Sequence, residues 1–303
     1  YFSDKNDSFI ADRFLDEYFR PALTPQSRKK ISLRQIEVKS ALGKGGFGTV
    51  WRVAFEGRSF ALKVLDRALV KRKRVKEYLK NERDITRNCY FPFIIHSDLT
   101  LKDRNFYLFF LELCPFGDLG RISKILPDRL SPANLQAIMA ELLLTLEYLR
   151  SQKFIHRDIK PGNILVAEDG HIRLIDFGLC KRASKLTDTI CGTLYFKAPE
   201  IVGRKQYSNA VDLYAFGLTL YQLISGKTPF NDRDREIVED KILCRELDFD
   251  SRFRKQDRDL ILSLIEANPE ARLGFSDTKE IRDHPFFGGV DWEKVKAGQV
   301  RPF

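Results

Sequence analysis

Cysteine and histidine are scarce in this sequence, and neither is spaced as a disulfide or metal framework. The 303 residues include five cysteines, none of them in a Cys-x-x-Cys pair, and four scattered histidines. An odd number of cysteines in a chain of this length argues against a disulfide scaffold. The scattered histidines argue against a local zinc motif. We therefore expect a reducing, intracellular setting, cytoplasmic with the nucleus as the alternative, and no structural metal.

Long apolar runs are absent as well. The most apolar stretch is Phe106 to Leu113, which Glu112 interrupts, whereas a membrane-spanning helix needs about 20 apolar residues in succession. No signal peptide is apparent. The hydrophobic fraction of 43% and the charged fraction of 31% are typical of globular proteins. We expect no membrane span, and the chain length favours two lobes or two domains over one compact core.

Acidic residues are fewer than lysine and arginine residues, which leaves a formal net charge of +10. Such an excess suits nucleic acid, a membrane surface or a protein that handles phosphate groups, and charge does not decide between them. The basic run at residues 71–74 lies inside a helical pattern. We interpret it as a solvated helix face rather than a nuclear-localisation signal.

The hydrophobic pattern changes along the chain from mostly β to mostly helical. Aromatic residues at helical spacing over residues 8–20 predict an N-terminal helix, and a linker extends this first segment to residue 35. A β-rich lobe is predicted over 36–113, with one helix near 74–87 and strands near 94–101 and 106–112. A mainly helical lobe follows from 114 to 287, with two short strands near 164–174 and helices over 135–149, 210–223, 235–244 and 258–265.

Residues 42–50 form a glycine-rich loop, Leu-Gly-Lys-Gly-Gly-Phe-Gly-Thr-Val, between two predicted strands. Its glycines let backbone amides approach a phosphate chain that side chains would block. No helix follows, and no acidic residue stands at the distance of a dinucleotide-binding motif. The loop therefore indicates a phosphate site, with a plain glycine hairpin as the alternative.

Lys63 ends an apolar strand, where a buried ammonium group needs an anion. Glu82 follows 19 residues later on the predicted helix. A lysine held between a glutamate and nucleotide phosphates satisfies this requirement. A surface salt bridge is the alternative interpretation.

Two further motifs carry the elements of phosphoryl transfer: His156-Arg157-Asp158, followed by Lys160 and Asn163, and Asp176-Phe177-Gly178. The reaction needs a carboxylate that accepts the proton of the attacking hydroxyl, and oxygen ligands that hold magnesium against the phosphates. Asp158 suits the first role. Asn163 and Asp176, brought together by a short strand pair, suit the second, and Lys160 suits neutralisation of the transferring group.

In this order, the motifs resemble the eukaryotic protein kinases over about residues 36–290. The resemblance implies an α+β, two-lobed kinase fold, with a small β-rich N-lobe carrying one key helix and a larger, mainly α-helical C-lobe. It implies ATP and Mg²⁺ as cofactors and proteins as substrates. It also implies a nucleotide pocket around the hinge between the lobes, formed by Leu42, Gly43, Gly45, Gly48, Val50, Ala61, Lys63, Leu111, Glu112, Cys114, Asp118 and Leu165. For Cys114, an inert small apolar residue remains the alternative.

Several segments are similar to the AGC group, with the cyclic-nucleotide-dependent kinases as the closest pattern. They are Cys191-Gly192-Thr193, Arg272-Leu273-Gly274 and the stretch from His284-Pro285-Phe286-Phe287 to Asp291-Trp292. By this resemblance residues 288–303 begin an AGC-type tail, and Arg272 pairs with Glu200 of the Ala198-Pro199-Glu200 motif. Lys160 together with Thr193 is the serine/threonine arrangement.

Thr189 occupies the position that many AGC kinases phosphorylate. The resemblance implies that a phosphate there orders the activation segment by pairing with Arg157 and Lys181. An upstream activating kinase is then an expected partner. We expect Thr189→Ala to lower the activity strongly.

Four positions depart from the pattern of relatives that select arginine. Gly162, Tyr195 and Gln222 stand where those relatives carry acidic residues, and Lys197 replaces an apolar residue in the pocket for the residue after the phosphoacceptor. We expect weakened selection of arginine and tolerance of an acidic neighbour.

Thr86 and Ser97 stand where relatives have apolar residues that link the helix of Glu82 to the core. Polar groups weaken such a contact unless each finds a hydrogen bond.

Three rival functions remain. A catalytically weak pseudokinase scaffold would keep the fold without the activity, although all the catalytic residue types are present. A small-molecule kinase on a related fold does not explain Ala198-Pro199-Glu200 and Arg272, which build a peptide platform. A nucleic-acid-binding module explains only the charge, and we expect no specific nucleic-acid binding.

Overall fold

The computed structural model describes residues 35–45, 48–72, 76–125, 130–182 and 186–303. The predicted N-terminal helix over residues 8–20 and most of its linker lie outside these ranges. The chain divides into two compact units. The first contains the described residues up to Tyr90 together with Ile95–Cys114, and the second contains Phe91–Ile94 and Pro115–Phe303.

The first unit is built on a five-stranded antiparallel sheet in the order β1-β2-β3-β5-β4. Its strands are β1 (Glu37–Gly45), β2 (Gly48–Phe55), β3 (Arg58–Asp66), β4 (Ser97–Lys102) and β5 (Phe106–Glu112). A turn at Glu56-Gly57 joins β2 to β3, and both of its residues have positive φ, at 47° and 74°. This backbone conformation matches the twist of a two-residue hairpin.

Alternating apolar residues of β2 and β3 cover one face of this sheet. Val53 lies opposite Phe60, and Trp51 lies opposite Leu62. Phe110 of β5 packs edge-on against Phe60, with 5.8 Å between the ring centroids. All five side chains are buried, so this face forms the apolar core of the unit. Two helices complete the unit, α1 (Arg67–Arg72) and α2 (Lys76–Asn88).

The strand predicted near residues 94–101 begins at Ser97 instead. Ile94 belongs to the second unit, where it forms a parallel bridge with Leu174. The Leu174 N–H donates to the carbonyl of Phe93 at 2.8 Å. An apolar run cannot show which of two neighbouring elements it will pair with, and so the prediction of this boundary was wrong.

The second unit is mainly helical. Its helices are α3 (Leu119–Ile125), α4 (Pro132–Ser151), α5 (Pro199–Val202), α6 (Ala210–Ser225), α7 (Arg235–Cys244), α8 (Lys255–Leu264), α9 (Lys279–Arg282) and α10 (Trp292–Lys296). Short antiparallel pairs join β6 (Phe154–Ile155) to β9 (Lys181–Arg182) and β7 (Ile164–Val166) to β8 (Ile172–Leu174). The predicted two-lobed α+β architecture is confirmed. Within the described ranges, no helix combines the length and apolar character needed to cross a membrane.

Helix α6 is buried along nearly its whole length and packs against α8. A side chain at Gly217 would place its Cβ 2.8 Å from the Cβ of Leu264. This distance is below normal contact, and a glycine is therefore required for the two helices to approach.

His171, in the turn before β8, joins α4 to the end of the chain. Its Nδ1 lies 2.6 Å from Oε1 of Glu141, and its Nε2 lies 3.1 Å from the carbonyl oxygen of Gly298. Both partners are acceptors, and only the doubly protonated ring donates to both. The hydrogen bond to Glu141 accordingly raises the pKa of His171 above its usual range, and the charge of Glu141 adds to this shift.

Candidate active site

Asp158 lies in the loop between β6 and β7, and its carboxylate is held by three neighbouring side chains. Oδ2 accepts from Nζ of Lys160 at 2.7 Å and from Nδ2 of Asn163 at 2.8 Å. Oδ1 accepts from the hydroxyl of Thr193 at 2.7 Å and from its backbone N–H at 2.9 Å. The carboxylate is therefore fixed in position, as a base that meets a substrate hydroxyl needs to be.

Burial by itself would raise the pKa of Asp158. The charge of Lys160 and the hydrogen bonds from Lys160 and Thr193 outweigh burial, so the pKa lies below its usual range. The aspartate is consequently ionised at neutral pH and is a proton acceptor.

Asp212 of α6 fixes the backbone beside Asp158. Its two carboxylate oxygens accept the N–H groups of His156 and Arg157, each at 2.8 Å. Arg157 has a φ of 71°, and Asp176 has a φ of 65°. Such left-handed conformations cost non-glycine residues about 1–3 kcal/mol each and are concentrated at functional sites.

The strand pair β7–β8 brings Asn163 and Asp176 together, because Asn163 immediately precedes β7 and Asp176 lies two residues after the end of β8. The N–H of Ile175 donates to the carbonyl of Asn163 at 3.0 Å. Both side-chain hydrogen bonds of Asn163 use its Nδ2, toward the carbonyl and the carboxylate of Asp158. Its Oδ1 is thus directed away from these bonds.

An amide oxygen and a carboxylate are the hard donors that Mg²⁺ prefers, and Mg²⁺ usually completes its coordination with phosphates and water. The described residues contain no group of three or more His, Cys, Asp or Glu side chains arranged around a common metal position. The side-chain oxygens of Asn163 and Asp176 fit a magnesium site that substrate phosphates and water would complete.

In the first unit, Nζ of Lys63 lies 2.6 Å from Oε1 of Glu82. Both side chains are shielded from solvent, with 17% and 3% exposure. Lys63 stands on β3 opposite Val50 of β2 and Phe109 of β5. The pair that the 19-residue spacing predicts is present, and the ammonium group has the anion that its position requires.

The remaining predicted nucleotide contacts in the first unit lie on β1, β2, β3 and β5 and just after β5. Leu42, Gly43 and Gly45 are on β1, and Gly48 and Val50 are on β2. Ala61 of β3 lies opposite Leu111 of β5. Glu112 is the last residue of β5, and Cys114 lies two residues further along the chain. A Cβ at Gly48 would lie 1.8 Å from the carbonyl oxygen of Val64. A glycine is therefore indispensable at this position of the loop.

In the second unit, Asp118 and Leu165 form an antiparallel bridge. The last two predicted pocket residues are thus neighbours, although 47 positions separate them in the chain. Asp118 also begins α3, since its Oδ1 accepts the N–H of Arg121 at 2.9 Å.

Thr189 is exposed, and the groups predicted to bind its phosphate contact its neighbours. Nζ of Lys181 donates to the hydroxyl of Thr187 at 2.7 Å, and that hydroxyl lies 3.5 Å from the hydroxyl of Thr189. Arg157 donates through Nε to the carbonyl of Leu179 at 2.6 Å.

Tyr207 links Arg157 to Thr189, and the sequence motifs did not identify it. Its hydroxyl donates to the carbonyl of Thr189 at 2.6 Å and accepts from Nη1 of Arg157 at 3.3 Å. No spacing rule connects residues 50 positions apart, so this contact had no local signal in the sequence.

Thr86 and Ser97 each find a hydrogen bond within the first unit. The buried hydroxyl of Thr86 donates to the carbonyl of Glu82 at 2.8 Å. The hydroxyl of Ser97 lies 3.3 Å from the carbonyl of Leu99 and 3.4 Å from the hydroxyl of Thr100. Each hydroxyl thus has the hydrogen bond without which a buried polar group would weaken the contact between the helix of Glu82 and the core.

Glu200 and Arg272 form the predicted ion pair, and both side chains are buried. The two bonds from the guanidinium to the carboxylate measure 3.0 and 3.1 Å. Arg272 also donates to the carbonyl of Ala210 at 2.7 Å. This two-bond geometry satisfies a charge that would otherwise be costly to bury.

The comparison with known families agrees with this arrangement. The family model described as a protein kinase domain matches residues 36–287. The chain therefore belongs to the protein kinase family.

Curated relatives indicate which kind of protein kinase the chain resembles. A cAMP-dependent protein kinase, catalytic subunit-like, from Caenorhabditis briggsae is 31% identical over 300 residues, which cover 96% of this chain and 77% of the relative. The cAMP-dependent protein kinase type 3 of Saccharomyces cerevisiae is 34% identical over 278 residues, covering 89% and 69%. A RAC family serine/threonine-protein kinase homolog from Dictyostelium discoideum is 32% identical over 288 residues, covering 92% and 63%.

The predicted class is confirmed: the chain is an ATP-dependent serine/threonine protein kinase of the AGC group. The relatives named as serine/threonine kinases give no support to the pseudokinase alternative. Membership of the family implies ATP as the phosphate donor and proteins as the acceptors.

Proposed function

We propose that Asp158 is the base of this kinase and that Asn163 and Asp176 hold the Mg²⁺ that accompanies ATP. The observation that carries this proposal is the fixed carboxylate of Asp158, with its low pKa and its contacts to Lys160, Asn163 and Thr193. In this position it orients a serine or threonine hydroxyl of the substrate and accepts its proton.

The other groups supply charge. Lys160 neutralises the transferring phosphoryl group from its place beside Asp158. Lys63, oriented by Glu82, binds the phosphates of ATP, while the glycine loop and the hinge residues hold the nucleotide. Asn163 and Asp176 would hold Mg²⁺ through their side-chain oxygens, and the ion, when bound, would screen the charges of the phosphates.

Replacing the base tests this assignment. We expect Asp158→Asn to lower kcat for a protein substrate by about 10²–10⁴-fold, because the amide does not accept the proton. The measurement is radiolabelled phosphate transfer at saturating ATP. Asp240→Asn, at an exposed position on α7, is the matched control and should keep the wild-type rate. A wild-type rate for Asp158→Asn would refute the proposed role.

We also propose that phosphorylation of Thr189 by an upstream kinase activates the enzyme. The exposed Thr189 is accessible, and its backbone and hydroxyl already lie in the cluster of Tyr207, Thr187, Lys181 and Arg157. A phosphate would add nearly two negative charges beside two cations.

Thr189→Ala should therefore lower kcat/KM at least about tenfold relative to the phosphorylated wild type, the size of effect that one or two charge-assisted hydrogen bonds supply. The measurement uses protein whose phosphorylation at Thr189 has been verified by mass spectrometry. Equal rates for the variant and for fully phosphorylated wild type would exclude this switch.

A further inference from the structure

Two open cavities lie beside the segment formed by residues 190–197, both within the second unit. Cavity A has a volume of about 450 Å³ and is lined in part by Lys160 and Thr193. Cavity B has a volume of about 340 Å³ and is lined in part by Leu194 and Lys197. Thr193 and Lys160 contact Asp158 directly, and Lys197 lines a small pocket together with Asp158. Each cavity therefore shares a lining residue with the immediate surroundings of the proposed base.

Cavity A has an excess of positive charge. Arg121, Lys124 and Lys160 line it, against the single carboxylate of Asp118. That carboxylate accepts the N–H of Arg121 at the start of α3. The side chains of Arg121 and Lys124 form no ion pair with any residue in the described part of the chain.

Two neutral residues, Gly162 and Gln222, also line cavity A. A Cβ at Gly162 would meet nothing closer than Cε of Lys160, at 3.9 Å. The site thus has room for an acidic side chain that the sequence does not provide. A cationic side chain of a substrate would meet the carboxylate of Asp118 beside Arg121 and Lys124, while the third cation, Lys160, is already paired with Asp158.

Cavity B contains a lysine in an apolar setting. Ile190, Leu194 and Ile201 line it together with Lys197. Lys197 is half-buried, and within the described ranges its ammonium group forms neither a hydrogen bond nor an ion pair. Burial and, secondarily, the nearby Arg235 lower the pKa of Lys197.

The acidic residues of cavity B compensate this lysine only in part, since Glu239 favours its charged form but burial and Arg235 outweigh that effect on the pKa. Glu239 is bound to Arg235 on the same helix, with 2.8 Å between Nε and Oε1. Glu236 lines the same cavity as three cations, Arg204, Arg235 and Lys197. Burial deprives the ammonium group of Lys197 of hydration and so disfavours its charged form. A bound anion would stabilise that form.

We propose that this kinase selects protein substrates in which anionic side chains flank the phosphoacceptor, one in each cavity. The inference rests on the proposed role of Asp158, which fixes where the acceptor hydroxyl lies. The shared chemistry is an oxyanion, supplied either by the carboxylate of glutamate or aspartate or by a phosphate group already on the substrate.

A set of peptides tests this selection. Each has one acceptor serine in a neutral background, and one position from four before to two after the serine is occupied in turn by glutamate, glutamine, arginine or phosphoserine. The measurement is kcat/KM for each. Glutamate should exceed glutamine about five- to tenfold at the position that reaches the half-buried Lys197. The gain should be about two- to threefold at the position that reaches the exposed Arg121 and Lys124.

Variants assign each preference to its cavity. Lys197→Leu should abolish the larger preference, and Lys197→Gln serves as a second variant that retains a polar side chain. Arg121→Glu combined with Lys124→Glu should reverse the smaller preference. The matched controls are Lys255→Leu, and Lys255→Glu combined with Lys279→Glu, at exposed positions outside both cavities. They carry the same changes in charge and should keep both preferences.

The outcomes separate the inference from the proposed function. Equal rates for glutamate and glutamine peptides, or a preference for arginine, would overturn the inference and leave the role of Asp158 intact. Loss of the preferences in the control variants would also overturn it. Transfer to no peptide at all by the phosphorylated wild type would refute the proposed function, and the inference with it. A larger gain with phosphoserine than with glutamate would identify previously phosphorylated proteins as the substrate source.

Discussion

At the proposed catalytic aspartate, the charge of one lysine and the hydrogen bonds of two neighbours together outweigh the effect of burial on the pKa. Asp158 is largely enclosed, which favours its protonated form, yet Lys160 at 2.7 Å keeps its pKa below the usual range. Lys160 is therefore the largest influence that opposes burial at the proposed base, in addition to the role proposed for it with the phosphoryl group.

Removal of this charge should shift the pH dependence of the reaction. In Lys160→Ala we expect the acid limb of the kcat profile to move to higher pH, because the hydrogen bonds from Thr193 would then oppose burial without the help of the lysine charge. Thr193→Val removes one hydrogen bond but no charge and should produce a smaller shift. The measurement is kcat from about pH 5 to pH 8, compared with the same profile for wild type. An unchanged acid limb in Lys160→Ala would show that another group sets it.

Single residues of the site were predictable where the chemistry is local in sequence. The spacings of Lys63, Asp158, Asn163 and Asp176 carried enough information, because each sits in a short motif whose residue types the reaction requires. Tyr207 was not predictable, since its contacts to Arg157 and Thr189 depend on how distant segments pack.

At the scale of secondary-structure elements, the buried ion pair of Arg272 and Glu200 connects a 3₁₀ turn to two helices, α5 and α6. Arg272 follows the 3₁₀ turn at residues 269–271, while its partner Glu200 lies in α5 and its second acceptor, Ala210, begins α6. Its side chain is fully enclosed, with 0% exposure. Removing either partner would leave an uncompensated charge inside the protein.

Arg272→Ala should accordingly lower the free energy of unfolding by about 3–5 kcal/mol. Arg245→Ala is the control, because its pair with Glu266 is about one-third exposed, and it should cost at most about 1 kcal/mol. Denaturant unfolding measures both. The double variant Arg272→Met with Glu200→Gln should be less damaging than the sum of its single substitutions. Additive losses would contradict a coupling between the two residues.

The boundaries of the elements show what a hydrophobic pattern leaves out. The helix predicted over 258–265 begins at Lys255, because the carboxylate of Asp257 accepts the N–H of Arg254 at 2.8 Å and stabilises an earlier start. The helix predicted over 135–149 begins at Pro132, capped by Ser131. Periodicity locates the buried face of a helix, whereas capping side chains determine its ends.

For the molecule as a whole, the contact of His171 with Glu141 and Gly298 couples stability to pH. The folded state raises the pKa of His171, chiefly through Glu141, while burial opposes the shift, Asp169 adds to it and Arg173 reduces it. The stabilisation is complete below the usual pKa of about 6.5 and is lost as the pH rises through the higher folded value.

We therefore expect the free energy of unfolding to fall between pH 6 and pH 9, and this fall to be smaller in His171→Gln, which has no ionisable ring. Denaturant unfolding at several pH values measures the slope. His96→Gln, in the first unit and about one-third exposed, should retain the wild-type slope. Identical slopes for wild type and His171→Gln would exclude His171 as the source.

The ring of His171 also makes folding a proton-binding reaction. Near neutral pH its two acceptors hold a proton that the same ring in the unfolded chain has mostly released. Each molecule that folds should therefore remove a fraction of a proton from the buffer. In calorimetry, the apparent heat of unfolding should change with the ionisation enthalpy of the buffer, and the difference between buffers counts the protons exchanged.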